Sequence, residues 1–421
     1  MSLFKKVCTY FCMVSPLMAM SYDVSNLEEF NAILKKLSSG DEVVFASGNY
    51  GKLNLNGQIK GSNEYIKLIS KEHGQAEFTN VFLQNIKYLE LDGFKISQTP
   101  NDYNYITPDP RDEGRKVWED RSIVIANSED ISIKNCIISD MEDENHNNDH
   151  NGVTIRDSKF IVFEKNDLSH LYTAAIFQNV SNVQILQNYF HDIRNDGINI
   201  AGASKAILIE KNKFEDFFPH TVSVGRDSST DKRDHADHIQ IHSVKANERA
   251  EDITIKDNVS LMGQHGKATQ SIFIQASADG SGIDNRNIKI IGNHVSNGHH
   301  HGISVFDALD VVIESNTVEQ STNMNDCKDL NSPGIHIRRV ENATILDNTS
   351  TKYTLDQKSY LPQDNTVKKC GETKTETKSD SSKIDKKPVK AKKLQQKSNG
   401  FVPRSEFNDG ELKAIDELFG Y

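Results

Sequence analysis

The chain has 421 residues, with 60 acidic and 49 basic side chains and a net charge of −11 at pH 7. Residues 366–400 hold eleven lysines and only four acids, so the remainder is more acidic than the total indicates. This balance argues against nucleic-acid binding by the main domain. No segment after the N-terminal one approaches the ~20 apolar residues of a transmembrane helix, so we expect no membrane span.

The first residues have the pattern of a secretory signal peptide. Lys5 and Lys6 precede a largely apolar run from Val7 to Met20, and small residues suited to cleavage lie at its end. This order is typical of exported proteins. We therefore expect residues 1–21 to be a signal peptide and the mature protein to be secreted, periplasmic or at the cell surface.

A short helix is predicted next. Ser25 and Glu28 have capping-box spacing. Apolar residues then follow at helical spacing, namely Leu27, Phe30, Leu34 and Leu37. In a repetitive fold such a helix covers the open N-terminal end of the stack.

The middle of the chain repeats one short pattern, in which alternating apolar residues are followed by asparagine and another apolar residue. The asparagines are Asn135, Asn166, Asn188, Asn212, Asn258, Asn293, Asn316 and Asn348. Several intervals are close to 22–24 residues, and the longer ones fit one coil plus a loop. Alternation predicts half-buried strands, and stacked asparagines form hydrogen-bonded ladders. We predict an all-β fold, a right-handed parallel β-helix solenoid over residues 22–355.

A second strand recurs within each coil and predicts a surface strip. If its Ile and Val residues point inward, the outer face carries Thr154, Asn199, Gln240, Phe273, Ser304 and His336, with Arg156, His242, Gln275, Phe306 and Arg338 beside them. The insertions that precede this strand are residues 141–150, 225–237, 261–270 and 321–333. Insertions at one point of successive coils lie on one side of a solenoid, so we expect them to wall a groove over the strip.

The C-terminal part has a different composition. Residues 356–400 are rich in Lys, Thr, Ser and Gln, which predicts a disordered linker. Residues 401–421 form a short amphipathic tail that we expect to dock on its own domain or on a partner. Cys327 and Cys370 are the cysteines placed to pair outside the core, and an exported compartment permits that disulfide without requiring it.

The coil pattern over about residues 45–355 resembles the right-handed parallel β-helix superfamily. This superfamily includes pectate and alginate lyases, chondroitinase-type lyases, mannuronan epimerases, polygalacturonases and phage depolymerases. The segments Val24–Phe30 and Gly40–Tyr50 look like the start of the chondroitinase and alginate lyase group. The resemblance implies a lyase acting on a uronate polysaccharide, but the Lys and Arg catalytic signature of that group is not found.

Two further resemblances leave alternatives open. Asp196, the Asp237-His238 pair, the Gly266 segment and Arg338 follow the order of polygalacturonase motifs, although the second pair lacks one Asp. The segment Asp109–Asp112 resembles the Asp-Pro-His-Asp of epimerases, with Arg in the His position. A hydrolase or an epimerase is therefore an alternative to a lyase.

The densest group of chemical side chains lies where a charged loop enters the strand at residues 237–242. A β-eliminating lyase needs a base, a group that neutralises the carboxylate and an acid for the leaving oxygen. The predicted catalytic residues are His242 and His301 for proton transfer, Arg338 and Lys267 for carboxylate contact, and Asp237. The predicted substrate-binding residues are Arg156, Asn199, Gln240, Phe273, Gln275, Phe306 and His336.

Other chemistries use the same strip. Asp196 and Asp237 could hold a Ca²⁺ ion, or could act as the two carboxyl groups of a glycosidase, ~6.5–9.5 Å apart for inversion. A non-catalytic carbohydrate-binding or envelope protein would use Phe273 and Phe306 as a sugar platform. The run His299–His301 is more typical of a solvated turn than of a metal site. The sequence leaves these alternatives open and favours the lyase.

Overall fold

A computed structural model describes residues 19–59, 61–97, 121–140, 149–219, 221–223, 231–233, 236–243, 248–276, 284–324, 332–356 and 364–368. Several predictions fall outside these residues: most of the signal peptide, the segment Asp109–Asp112, the cysteines Cys327 and Cys370, and the C-terminal tail. They remain predictions.

Short strands follow one another along the chain. The first elements are β1 (Ser21–Val24), α1 (Leu27–Ile33), the 3₁₀ turn η1 (Leu34–Lys36), β2 (Glu42–Phe45), β3 (Gly48–Asn49), β4 (Lys52–Asn56), β5 (Ile66–Ser70), β6 (Ala76–Phe78), β7 (Asn80–Gln84), β8 (Lys87–Asp92), β9 (Lys95–Ser97), β10 (Arg121–Ala126), β11 (Glu129–Lys134) and β12 (Ile137–Ser139). The next are β13 (Asn151–Arg156), β14 (Lys159–Glu164), β15 (Asp167–Leu171), β16 (Ala175–Gln178), β17 (Ser181–Leu186), β18 (Tyr189–Ile193), β19 (Ile198–Ala201), β20 (Lys205–Glu210), β21 (Lys213–Glu215), β22 (Thr221–Ser223), β23 (Asp231–Arg233) and β24 (Asp237–His242). The last are β25 (Glu251–Lys256), β26 (Val259–Leu261), β27 (Gln270–Gln275), β28 (Asn285–Ile291), β29 (His294–Asn297), β30 (His301–Glu314), β31 (Thr317–Gln320), β32 (Gly334–Leu346), β33 (Thr349–Ser350), β34 (Tyr353–Leu355) and β35 (Thr366–Val367).

The strands form three parallel faces that wind around one core. The first sheet contains β4, β7, β10, β13, β16, β19, β24, β27, β34 and the first halves of β30 and β32. The second contains β1, β2, β5, β8, β11, β14, β17, β20, β25, β28 and the second halves of β30 and β32. The third sheet contains β3, β6, β9, β12, β15, β18, β21, β26, β29, β31, β33 and β35. The predicted parallel β-helix is confirmed.

Stacks of aliphatic side chains fill the interior. In the first sheet, Ile155, Ile200 and Ile241 lie in one register and are fully buried. The alternation of buried and half-buried residues follows the period of two that the sequence shows. Each fully buried aliphatic side chain contributes about 1.5–3 kcal/mol. The core is therefore continuous from coil to coil.

The predicted N-terminal helix is present, but its cap is one residue later than the sequence indicated. Asn26 is the N-cap, and its side-chain oxygen accepts from the backbone N–H of Glu29 at 2.9 Å. The Glu29 carboxylate accepts from the backbone N–H of Ser25, the residue before the cap. The buried Phe30 ring lies 5.3 Å from that of Phe45, which places the helix over the end of the core.

The start and end of the solenoid also differ from the predicted boundaries. β1 begins at Ser21, which we predicted to be the last residue of the signal peptide, and pairs with Glu42 in β2. At the other end, Thr366 pairs with Thr349. The predicted end at residue 355 is therefore too early, because residues 364–368 add to the last coil.

An asparagine ladder runs along the turn between the second and third sheets. Its members are Asn166, Asn188, Asn212, Asn258, Asn293, Asn316, Asn348 and Asn365, and each except the last donates from its side-chain amide to the next at 2.9–3.0 Å. Asn135 was wrongly predicted as a member, since Cys136 occupies that position and its N–H donates to Asn166. Asn135 instead has φ of 53° and donates to Asp92 at 2.7 Å.

Removing one ladder side chain should destabilise the protein. In Asn212→Ala, the Asn188 backbone and amide donors and the Ile185 carbonyl lose buried partners. We expect the unfolding free energy to fall by about 3 kcal/mol. Asn135→Gly is the matched control, because glycine accommodates the positive φ and the lost bond is near the surface. Denaturant unfolding compares the two, and equal losses would contradict a special role of the ladder.

A charged cluster on the outer face of the third sheet links adjacent coils. His191 is hydrogen-bonded to Asp167 at 2.9 Å and to Asp192 at 2.6 Å, and its ring stacks on Tyr189 with centroids 4.3 Å apart. Burial lowers the pKa of His191, but the two carboxylates outweigh it and raise this pKa to about 9. The imidazole is therefore cationic at neutral pH.

The cluster predicts a loss of stability at alkaline pH. The folded-state pKa is above the unfolded value, so the contribution is complete below about pH 6.5 and is lost as the pH rises through about 9. Allowing for partial exposure, we expect about 1–2 kcal/mol. Thermal unfolding at pH 7 and pH 10 should show a larger drop for the wild type than for His191→Gln. If the melting temperatures of the two proteins fell equally between pH 7 and pH 10, His191 would not be the cause of the alkaline loss of stability.

Candidate functional site

The groove face is the outer face of the first sheet from β13 to β32. One row across it contains Thr154, Ile176, Asn199, Gln240, Phe273, Ser304 and His336. The next row contains Arg156, Gln178, Ala201, His242, Gln275, Phe306 and Arg338. The structure therefore brings the predicted strip residues into two continuous rows, because inward Ile and Val residues alternate with them.

Two acids and two amides form a hydrogen-bonded chain across adjacent coils. Asn199 donates to Asp196 and to the Gln240 side chain, both at 2.8 Å, and Gln240 donates to Asp237 at 3.0 Å. The backbone N–H of Asp237 also donates to Asp196 at 3.1 Å. Asp237 is fully buried and Asp196 is 3% exposed. We call these four residues the acid–amide end of the groove face.

The geometry of this end bears on the two alternatives that used its carboxylates. Asp196 and Asp237 lie at equivalent positions of neighbouring coils, so a glycosidase would have both carboxyl groups on one face. Within the described part of the chain, no group of three or more His, Cys, Asp or Glu side chains could hold a metal ion. The predicted Ca²⁺ ligands already accept hydrogen bonds from amides, so we derive no step through a metal.

A second cluster occupies the other end of the groove face, and we call it the aromatic end. Its members are Phe273, His301, Ser304, Phe306, His336 and Arg338. The Phe273 ring lies 5.3 Å from that of His301 and 5.5 Å from that of Phe306, both edge-on. The Arg338 guanidinium lies 5.9 Å from the Phe306 ring centroid. Both Phe rings are half-buried on the outer face, in contact with each other and beside the Arg338 cation.

Two imidazoles of the aromatic end face each other. The His301 and His336 ring centroids are 5.3 Å apart, and His301 Nδ1 is hydrogen-bonded to Ser304 Oγ at 2.7 Å. His336 Nε2 is hydrogen-bonded to the His300 carbonyl at 2.8 Å. Burial lowers the pKa of His336 to about 4, which keeps it neutral in neutral solution. The sequence predicted that Ser304 lies on the strip but gave it no role. In the structure its hydrogen bond orients the His301 imidazole.

His242 lies apart from this cluster. Burial lowers its pKa, and its Nδ1 has no hydrogen-bond partner among the described residues. His242 and Arg338 occupy the same row, three coils apart, which corresponds to roughly 14 Å. His301 belongs to neither row, but its ring lies 6.0 Å from that of Phe306, the ring that Arg338 also approaches.

The remaining predicted residues have separate surroundings. Lys267 donates through its backbone N–H to Phe217 and through its amine to Pro219, at 2.8 Å and 3.4 Å. We therefore assign Lys267 no role at the aromatic end. Arg156 is exposed at the other end of its row, and Gln275 lies between His242 and Phe306. These two extend the face along the solenoid axis.

Comparisons with known proteins agree with the fold. A family model described as right-handed beta helix region matches residues 121–282. No curated protein matches the chain. Among solved structures, the N-terminal fragment of bacteriophage Phi29 gene product 12 is 13% identical, with 77% of this chain and 55% of that chain covered and a TM-score of 0.51.

Two other solved structures resemble this chain with lower TM-scores. The surface adhesin PfbA of Streptococcus pneumoniae is 15% identical, with 78% of this chain and 85% of that chain covered and a TM-score of 0.49. The alginate lyase from Paenibacillus sp. str. FPU-7 is 13% identical, with 80% and 99% covered and a TM-score of 0.43. At these identities the likeness concerns the fold alone. In the described residues, no helix is long and apolar enough to cross a membrane.

The buried His336 should make the protein sensitive to acid. Its folded-state pKa of about 4 is below the unfolded value, so its contribution is present above about pH 6.5 and is lost as the pH falls toward 4. We expect His336→Gln to reduce the loss of stability between pH 6.5 and 4 by about 2 kcal/mol. Thermal unfolding across this range measures it, with the exposed His73→Gln as control. If His336→Gln lost as much stability between pH 6.5 and 4 as the wild type, His336 would not be the cause of the acid sensitivity.

Proposed function

We propose that the protein is an exported polysaccharide lyase that cleaves a uronate-containing polymer by β-elimination at the aromatic end of the groove face. The observation that carries this proposal is the contact of His301 with Phe273, Ser304 and His336, one coil from Arg338. A proton-transfer group, a ring platform and a cation thus occupy one small area.

The platform supports sugar binding. Phe273 and Phe306 lie on adjacent coils with their rings edge-on at 5.5 Å, and both are half-buried. The apolar C–H face of a sugar ring packs well against such a surface. The coils repeat every ~4.8 Å along the axis, which is close to the length of one sugar residue. A polymer lying along the axis would therefore meet equivalent positions on successive coils.

The charged and polar groups support elimination. The exposed Arg338 would bind the carboxylate at C5 and stabilise the negative charge that develops there when the C5 proton leaves. His301, oriented by Ser304, would accept that proton. The electron pair from the C5–H bond forms the C4–C5 double bond while the C4–O4 bond breaks. The His301 imidazolium then gives this proton to the leaving O4, which leaves an unsaturated sugar at the new non-reducing end.

Turnover of a polymer panel tests the proposal. Alginate, pectate, glycosaminoglycans and bacterial exopolysaccharides are incubated with the wild type, with and without Ca²⁺, and read by ultraviolet absorbance and reducing ends. We expect absorbance to grow on at least one uronate polymer. His301→Ala should lower kcat by about 10²–10⁴-fold, since it removes the proton acceptor. Arg338→Ala should lower kcat/KM by about 10²–10³-fold.

The matched control is Lys289→Ala, which removes one cation from the outer face of the second sheet. It should leave turnover unchanged. Reducing ends without absorbance would point to a hydrolase, for which Asp196 and Asp237 are the pair to substitute. Binding of a polymer with no increase in absorbance or in reducing ends would contradict the lyase proposal. It would favour a carbohydrate-binding protein that uses the same Phe273 and Phe306 platform.

A further inference from the structure

A buried polar network lies behind the groove face, on the inner side of the corner between the third and first sheets. Its members are Ser260, His238, Thr269, Asn297 and Ser271, none of them more than 3% exposed. His238 Nδ1 is hydrogen-bonded to Ser260, and its Nε2 to Thr269 Oγ1 at 3.1 Å. The Asn297 amide donates to Thr269 Oγ1 at 3.3 Å and to Ser271 Oγ at 3.2 Å. The network thus joins three successive coils.

The network is uncharged and tightly enclosed. Burial lowers the pKa of His238 to about 3, so this imidazole stays neutral. Its ring lies 5.6 Å from that of Phe214 and 4.4 Å from that of Phe217. A buried polar group that loses its partner costs about 1–3 kcal/mol, so each member has one favourable arrangement. This rigidity makes the network suited to fixing whatever is attached to it.

Asn297 connects the network to the turn that carries His301. Its side-chain oxygen accepts from the backbone N–H of Gly298 at 2.7 Å and from that of Thr269 at 3.2 Å. A Cβ at Gly298 would lie 2.8 Å from Met324 Sδ and 3.1 Å from Ala268 Cβ, so the backbone there is closely enclosed. The start of the turn is therefore held both by hydrogen bonds and by packing.

Residues 298–300 form the turn that connects Asn297 to His301 on the groove face, and their hydrogen bonds hold this turn in place. The His301 N–H donates to His299 Nδ1 at 3.2 Å, within the turn. The His300 carbonyl accepts from the backbone N–H groups of Gly302 and Gly334 at 3.1 Å and 3.0 Å. His301 then emerges with its Nδ1 on Ser304. Only three residues separate Asn297 from His301, and each is tied to the sheet or to its neighbour.

We propose that Asn297 is a positioning residue that sets the place and orientation of the His301 imidazole from behind the sheet. The inference rests on the proposed function, in which His301 transfers the proton. Asn297 itself touches no substrate, because it is fully buried. Its side chain determines where the turn begins, and the turn determines where the imidazole lies relative to Ser304, Phe273 and His336.

The test compares Asn297→Ala with Asn293→Ala in the full chain. Asn293 is a ladder residue of the same coil, 2% exposed, whose amide is bonded at the opposite corner. Both variants should lower the melting temperature. Only Asn297→Ala should change the imidazole resonances of His301 in NMR spectra and its protonation equilibrium, by about threefold or half a pKa unit. Assignment of the His301 signals comes from their loss in His301→Ala.

Turnover provides a second reading. Asn297→Ala should lower kcat roughly tenfold while KM changes less than about twofold, since the reacting group is displaced and the platform is not. Asn293→Ala should change neither value beyond about twofold. If the wild type turns over no polymer, the lyase proposal fails, and the NMR comparison still decides the role of Asn297.

Thr269→Val covers the case in which Asn297→Ala does not fold. Valine keeps the shape of threonine but removes the Oγ1 that joins Asn297 to His238. We expect a shift of the His301 signals in the same direction and of smaller size. Unchanged His301 signals in both Asn297→Ala and Thr269→Val, or an equal shift in Asn293→Ala, would overturn the proposal.

Discussion

Each ladder asparagine except the last donates a hydrogen bond to the asparagine of the next coil. These bonds fix the register between successive coils, and the rest of the structure depends on that register. Seven such links, from Asn166 to Asn365, hold donor and acceptor at 2.9–3.0 Å. Because a shift of one residue would turn every side chain to the other face, this ladder also fixes which residues line the groove face. The two rows of the groove face are therefore a consequence of a bond made on the opposite side of each coil.

The same constraint explains how the chain accepts insertions. Asn212 and Asn258 are 46 residues apart, yet their amides meet at 2.9 Å like those of neighbours 22 residues apart. Most of the extra residues lie between β21 of the third sheet and β24 of the first, and β24 returns to the register of β19. Loops beside the groove can thus change length at little cost to the stack. The groove face itself stays regular, which suits a surface that meets a repeating polymer.

Much of the fold followed from the sequence, because alternation and the asparagine interval are local signals. The groove-face rows were predicted for this reason, from Thr154 to Arg338. Asn135 was wrongly predicted as a ladder member because it lies one residue before Cys136, which occupies the ladder position. A pattern of apolar residues does not distinguish two positions that are one residue apart. His238 was beyond the same reasoning. It is buried between the buried Asp237 and Ile239, so the strand begins with three buried residues in succession, and alternation alone would place His238 outside. Contacts between coils, such as His301 with Phe273, depend on loop lengths, so the sequence could indicate them only as candidates.

The acid–amide end and the aromatic end carry charge of opposite sign, and the exposed Arg156 lies two coils beyond Asp196 on the same face, which bears on where a polymer would bind. Asp196 and Asp237 lie at one end, and Arg338 lies exposed at the other, four and three coils away along the first sheet. At physiological ionic strength the screening length is about 8 Å, so each end acts on its own part of a bound chain. A uronate carboxylate would be attracted at the aromatic end and repelled at the acid–amide end. The predominantly acidic main domain would then oppose general binding of polyanions, while the exposed Arg338 and Arg156 would permit it at two positions of the same row.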